Sequence, residues 1–162
     1  MATTSRRSAV VTLPTDTAIL ITRDFDAPPR LVYKVFTTPE LISRWWAGQK
    51  GQITSVEVDL RVGGSWRYAM EANGGFEVAF NGEFRQIVPN ELIVCTEVFE
   101  AMPDVEPSVC TYTFVDRGER TTLELLAEYG SQEVRDAVVG SGMEDGMQEG
   151  WDIADEIAVS LA

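Results

Sequence analysis

AILITRDFDAPPRLVYKVFTTPELISRWW, residues 18–46, decides how the rest of the chain is read. Residues 18–25 mix β-branched and polar side chains and run into Asp26 and the Pro28-Pro29 pair, which reads as a strand ending in a turn. A helix is expected over 29–36, because Leu31, Val32, Val35 and Phe36 fall on one stripe. Thr38 is placed to cap a second short helix through about Trp45, with Pro39 at its first position and Glu40 in its first turn.

Beyond this start the period changes from helical to alternating. Residues 53–60, 65–70, 76–88, 91–99, 108–115 and 120–129 read as strands, separated by Gly63-Gly64, Pro89-Asn90, the connection 101–107 and Asp116-Arg117-Gly118. Gly82, inside the long run, marks a bulge or a close approach of another backbone. Helical periodicity returns over 132–161 through Val134, Val138, Met143, Met147, Trp151, Ala154 and Leu161, with Ser131 as its cap. Gly140, Gly142, Gly146 and Gly150 weaken that helix by roughly 1 kcal/mol each relative to alanine, so packing must compensate or the helix bends or breaks near 140–142.

Antiparallel strands in this number need one face covered, and the C-terminal helix provides the cover. The expected class is α+β, a curved antiparallel sheet around a long C-terminal helix, with two short N-terminal helices closing an edge. Residues 1–16 are expected to be a mobile tail and 17–162 a single domain.

Composition excludes several functions. The 162 residues carry 26 acidic and 13 basic groups, a formal charge of −13, which argues against nucleic acid or an anionic lipid surface as partner. With no histidine, triads, metal sites and proton shuttles built on imidazole are absent, while carboxylate, tyrosine and thiol chemistry stay open. Cys95 and Cys110 make no C-x-x-C motif and read as buried free thiols. No apolar run is long enough for a membrane helix, and Pro14 and Asp16 interrupt the only candidate leader, so a cytoplasmic location is expected. Neither a cofactor nor a metal is expected: Gly63-Gly64 lacks the phosphate-loop pattern, and the acidic run from Glu144 to Glu156 lacks a calcium-loop pattern.

FDAPPRLVYKVFTTPELISRWW at 25–46, VDLRVGGSWRYAM at 58–70 and NGEFRQIVPNELIV at 81–94, in that order, resemble the bacterial homologues of the activator of heat-shock-protein-90 ATPase, within the START-like helix-grip superfamily. The resemblance extends over about residues 17–161. It implies a strand, two short helices, six strands and a long C-terminal helix gripping an open sheet around a hydrophobic cavity, and a general class of lipid or small-molecule binding. Where relatives often carry a tryptophan near position 143, this chain has GMEDGMQEGW at 142–151, which implies a softer wall.

Candidate site residues follow from alternation. Trp66, Tyr68 and Met70 share one strand face; if it is concave they meet Met143, Met147 and Trp151 of the helix. Tyr112 lies on a face with Cys110 and Phe114, and Phe84 belongs to the central hairpin. Tyrosine hydroxyls and indole nitrogens would supply directional hydrogen bonds in an apolar setting. Trp45 and Trp46 cannot share one helix face, so one is expected to anchor the short helix and the other to face a cavity mouth or a partner. Glu77, Glu83, Glu97, Glu124 and Glu128 are the strand carboxylates, read mainly as solvent-facing, and Arg85 reads as exposed or in a salt bridge.

Three functions stay open: noncatalytic binding, sensing or sequestration of a small apolar or amphipathic ligand; interaction with a protein partner, including chaperone regulation; and cyclase- or hydratase-like catalysis. A homodimer through a sheet edge or the short-helix surface is also compatible with the sequence.

Overall fold

The computed structural model describes residues 9–162. Its strands are β1 (Val10–Thr12), β2 (Ala18–Phe25), β3 (Gly51–Val58), β4 (Ser65–Ala72), β5 (Glu77–Val88), β6 (Leu92–Phe99), β7 (Ser108–Asp116) and β8 (Thr121–Glu128). Helices α1 (Pro29–Thr37) and α2 (Pro39–Trp45) follow β2, and α3 (Gln132–Val139) and α4 (Met143–Ser160) follow β8. The strands form one antiparallel sheet in the order β1-β2-β8-β7-β6-β5-β4-β3. The β2–β8 pair alone joins strands that are not consecutive in sequence, because α1 and α2 carry the chain from β2 to the far edge at β3; β3 to β8 form the expected meander.

One boundary differs from expectation, and one expected break is present. The chain joins the sheet before residue 17, because Val10, Val11 and Thr12 pair with Thr22, Ile21 and Leu20. Ala9 is held too, donating from its backbone to the Gln148 amide oxygen at 2.9 Å and accepting from the Gln148 amide nitrogen at 2.7 Å. The rest of the expected tail, 1–8, lies outside the described residues. The C-terminal helix is broken at Gly140–Gly142, where Gly142 takes φ 84°, a left-handed conformation that glycine adopts without strain. Ser131 caps α3 by accepting from the Val134 backbone at 3.2 Å, whereas the Thr38 hydroxyl makes no such bond at α2.

Two buried arginines fix the helix layer to β2. Arg23 donates to the Trp151 carbonyl at 3.1 Å, pairs with Asp152 at 2.8 Å and Asp155 at 3.6 Å, and lies over the Phe25 ring. Arg135 reaches the carbonyls of Thr15 and Ala18 at 2.7 and 3.0 Å. Because a buried guanidinium must have its donors satisfied, each carbonyl gained is also a constraint on helix position. Half of the acidic run on α4 is thus structural: Asp152 and Asp155 face Arg23, and the Glu149 carboxylate accepts from the Gln49 backbone.

Beside Arg23 the helices close on the sheet through aromatic packing. Phe25 meets Phe36 edge-on at 5.8 Å and Trp151 at 6.0 Å, and Phe36 meets Trp45 at 4.8 Å. Gly150 permits the crossing of α2 and α4, since a Cβ there would stand 3.0 Å from the Trp45 carbonyl. This end of the molecule is filled; away from it, helices and sheet diverge.

Candidate functional site

The divergence leaves an open cavity of about 900 Å³ between the sheet and the helix layer. Two-residue alternation delivers its floor: Trp66, Tyr68 and Met70 from β4, Phe80 and Phe84 from β5, Ile93, Cys95 and Glu97 from β6, and Cys110, Tyr112 and Phe114 from β7. Leu125, Ala127 and Tyr129 extend the floor past β8, and Val138, Met143, Met147 and Trp151 form the roof. All ten residues singled out from sequence, Trp45, Trp46, Trp66, Tyr68, Met70, Phe84, Tyr112, Met143, Met147 and Trp151, are on its wall.

Trp45 and Trp46 divide their work as adjacent helical positions must. Trp45 is buried and donates its indole N–H to the Val35 carbonyl at 3.0 Å, which ties α2 to α1. Trp46 is half-buried and packs edge-on against Tyr68 at 5.7 Å and Phe80 at 5.9 Å, bridging the end of α2 to the sheet.

Indole nitrogens are poorer recognition groups here than the sequence suggests. Besides Trp45, the Trp66 indole is committed, donating to the Thr96 carbonyl at 3.2 Å. It reaches that carbonyl across β5 at Gly82, where an added Cβ would lie 1.7 Å from the Thr96 oxygen and 2.5 Å from the indole nitrogen. The expected close approach at Gly82 is therefore one of backbone and indole together. Downstream, the β5–β6 register shifts between Phe84 and Gln86, a bulge next to the cavity floor.

Of the five strand carboxylates considered from sequence, Glu77, Glu83 and Glu128 are exposed and Glu124 is half-buried away from the cavity. Glu97 differs. It stands two residues beyond Cys95 on the inward face of β6, opposite Ser108 of β7, and lines the cavity. Among the described residues no lysine or arginine forms an ion pair with it. Glu97 is half-buried, and the apolar wall around it removes much of the water that would stabilise its charge, which pushes its carboxyl up to about 7.

The same loss of water suppresses the other acids around it. Burial, then the Glu97 charge, pushes the Cys95 thiol up to about 12, and burial likewise holds Cys110 well above its ordinary range. Tyr68, Tyr112 and Tyr129 are raised chiefly by burial, with smaller contributions from the Glu97 charge. Neutral phenols and thiols around one titrating carboxyl are hydrogen-bonding groups, with no activated nucleophile among them. Cys95 and Cys110, directly opposite in the β6–β7 register, are free and buried. Arg85 is exposed, 4.0 Å from Glu83, and takes no part in the cavity.

The mouth is polar and apolar by turns. Lys50, Glu106 and Asp145 line it as exposed charges, and Phe76, Phe99 and Met102 as exposed apolar side chains. No group of three or more metal-ligating side chains, and no helix long and apolar enough to cross a membrane, occurs among the described residues.

Sequence signalled Glu97 only weakly. Alternation from Ile93 and Cys95 points it inward, but a glutamate on a strand ordinarily faces water. Tyr129, just past β8, follows the same rule from Leu125 and Ala127 and was equally easy to miss.

Comparison with solved structures shows the same architecture in several bacterial proteins. A Rhodobacter sphaeroides protein superposes with TM-score 0.87 at 21% identity, covering 94% of this chain and 99% of its own. Protein Ms6760 of Mycobacterium smegmatis gives 0.83 at 24% identity over 96% and 99%, and protein NE0264 of Nitrosomonas europaea gives 0.81 at 19% over 92% and 98%. At these identities the likeness is one of fold. No curated protein sequence gives a significant match. The profile described as "Activator of Hsp90 ATPase homolog 1-like protein" matches residues 26–158, from the turn after β2 to the last turns of α4. By that match, which spans both helix layers and the whole β3–β8 meander, the chain belongs to the activator of Hsp90 ATPase homolog 1-like family, with the START-like helix-grip fold.

Proposed function

We propose that this domain encloses a small apolar or amphipathic molecule between sheet and helix, as a noncatalytic carrier, sensor or sequestering protein. The observation that supports it is the open cavity, whose volume of about 900 Å³ suits a small molecule and whose wall is largely aromatic and aliphatic. Burial of the ligand's apolar surface supplies affinity, at about 25 cal/mol per Å² before the entropic cost of association. Exposed Phe76, Phe99 and Met102 at the mouth offer the same chemistry along the way in.

Native mass spectrometry of the protein isolated from its own cells tests this reading: a reproducible added mass released on denaturation is expected. A Gly146→Phe variant supplies the control. A Cβ at Gly146 meets nothing within 4 Å, so the ring fills part of the cavity while the helix gains a better helix former. The variant should fold at least as stably and lose the added mass. Equal retention by both proteins, or no uptake of any apolar probe by the unmodified protein, would count against enclosure.

A further inference from the structure

Lys50, Glu106 and Asp145 are exposed at the mouth, so the charge available inside the cavity belongs to Glu97. A carboxylate inside an apolar chamber is unfavourable unless something compensates it. Nothing in the described part of the protein does so by ion pairing. What surrounds it is aromatic: Tyr68 from β4, Tyr112 from β7 and Tyr129 beyond β8 line the same space, with the Cys95 and Cys110 thiols beside them. The helix side facing it contributes Val134, Val138, Met143 and Met147, all uncharged.

A carboxylate set among ring faces is complementary to an organic cation, since both the charge and the rings' negative faces attract it. An ammonium group on an apolar body would bring the missing partner with it. A ligand carboxylate would instead place like charges in one low-dielectric space.

Resting on the enclosure reading, we propose that the cavity is selective for amphipathic amines, with the ligand's ammonium group paired to the Glu97 carboxylate among Tyr68, Tyr112 and Tyr129 and its apolar body lying under Met143 and Met147. Binding is then linked to protons. Near neutrality Glu97 is partly protonated, so an incoming ammonium must displace that proton. The other groups facing it do not titrate in this range: burial keeps Tyr68, Tyr112, Tyr129, Cys95 and Cys110 protonated.

Decylamine, decanol and decanoate form a matched set, titrated below their aggregation limits at pH 8 by calorimetry with the full chain. The amine should bind at least about tenfold more tightly than the alcohol, and the acid most weakly. Glu97→Gln should bring the amine down to the alcohol while leaving the alcohol's affinity within about twofold, because the two side chains have nearly the same shape. At pH 7, repeating the amine titration in buffers of different ionisation enthalpy should reveal proton release that Glu97→Gln abolishes. If amine and alcohol bind alike, or the amine's advantage survives Glu97→Gln, the amine assignment fails while enclosure stands. Preferred binding of decanoate overturns it as well. If none of the three binds, enclosure fails with it.

Discussion

The Trp66 indole and the Thr96 carbonyl meet at 3.2 Å across an intervening strand, over the one position on that strand where a Cβ would fall 1.7 Å from the same oxygen. Three strands are thereby locked at the cavity floor by one hydrogen bond and one missing side chain. The Thr96 hydroxyl adds to this by accepting from the Glu83 backbone at 3.0 Å.

Gly82→Ala should therefore destabilise the protein far more than a glycine-to-alanine change in a strand usually does. The methyl cannot be accommodated without parting β5 from β6 or expelling the indole, a loss of about 3 kcal/mol. Urea denaturation gives the magnitude, and a red shift of tryptophan emission would report that Trp66 has left its carbonyl.

Arg23→Met removes the cation that Asp152 and Asp155 face at the β2–α4 junction, where the guanidinium is nearly inaccessible, with 2% of its side-chain surface exposed. A drop of about 3 kcal/mol is expected, because two partly buried carboxylates lose a nearby buried cation and the Trp151 carbonyl loses a donor. Arg23→Met combined with Asp152→Asn should recover part of the loss, which a double-mutant cycle in urea would measure.

Stability should fall as pH rises through neutrality, owing to Glu97. Its carboxyl titrates in the folded state at about 7, against 4.5 without burial, so between these values the native protein holds a proton that the unfolded chain has released. Stability from this group is thus full below pH 4.5, declines as pH rises, and is fully lost above about pH 7, with roughly 3 kcal/mol as the ceiling. Glu97→Gln should leave the protein more stable than the parent at pH 8 and nearly equal to it at pH 4.5. Thermal melts across that range would show the two curves converging at the acid end.

Cys95 and Cys110 should resist alkylation while the protein is folded. Both are buried, and with the Cys95 thiol pushed up to about 12 and Cys110 raised too, almost no thiolate exists at pH 8. Iodoacetamide followed by mass spectrometry should show no labelling within an hour and two additions after denaturation. Fast labelling of either residue in the native protein would contradict the burial described for β6 and β7.

Most of the fold is readable in advance because local signals agree with one another. Pro39 opens α2, alternation runs through β4 to β8, and four glycines mark the terminal helix as one that breaks. The cavity wall is readable for the same reason, since strand alternation sorts Trp66, Tyr68 and Met70 onto one face. What escapes is long-range pairing. Arg23 and Arg135 find carbonyls 128 and 117 residues distant, and no local pattern distinguishes them from Arg85, which stays in water. Glu97 escapes differently: its inward direction is periodic, but a lone carboxylate is assigned to solvent until the sheet's curvature is known. The edge strand β1 is too short, and too close to Pro14, to have a period at all.

The interruption at Gly140–Gly142 separates two attachments. Arg135 holds α3 to the start of β2, while Arg23 and the Trp45–Gly150 crossing hold α4 farther along. Ser141 and Gly142, between them, border the cavity while belonging to neither anchor. On the proposed function, the guest would lie under a roof made of two separately anchored helices, joined at the cavity's border by residues that carry no bulky side chain.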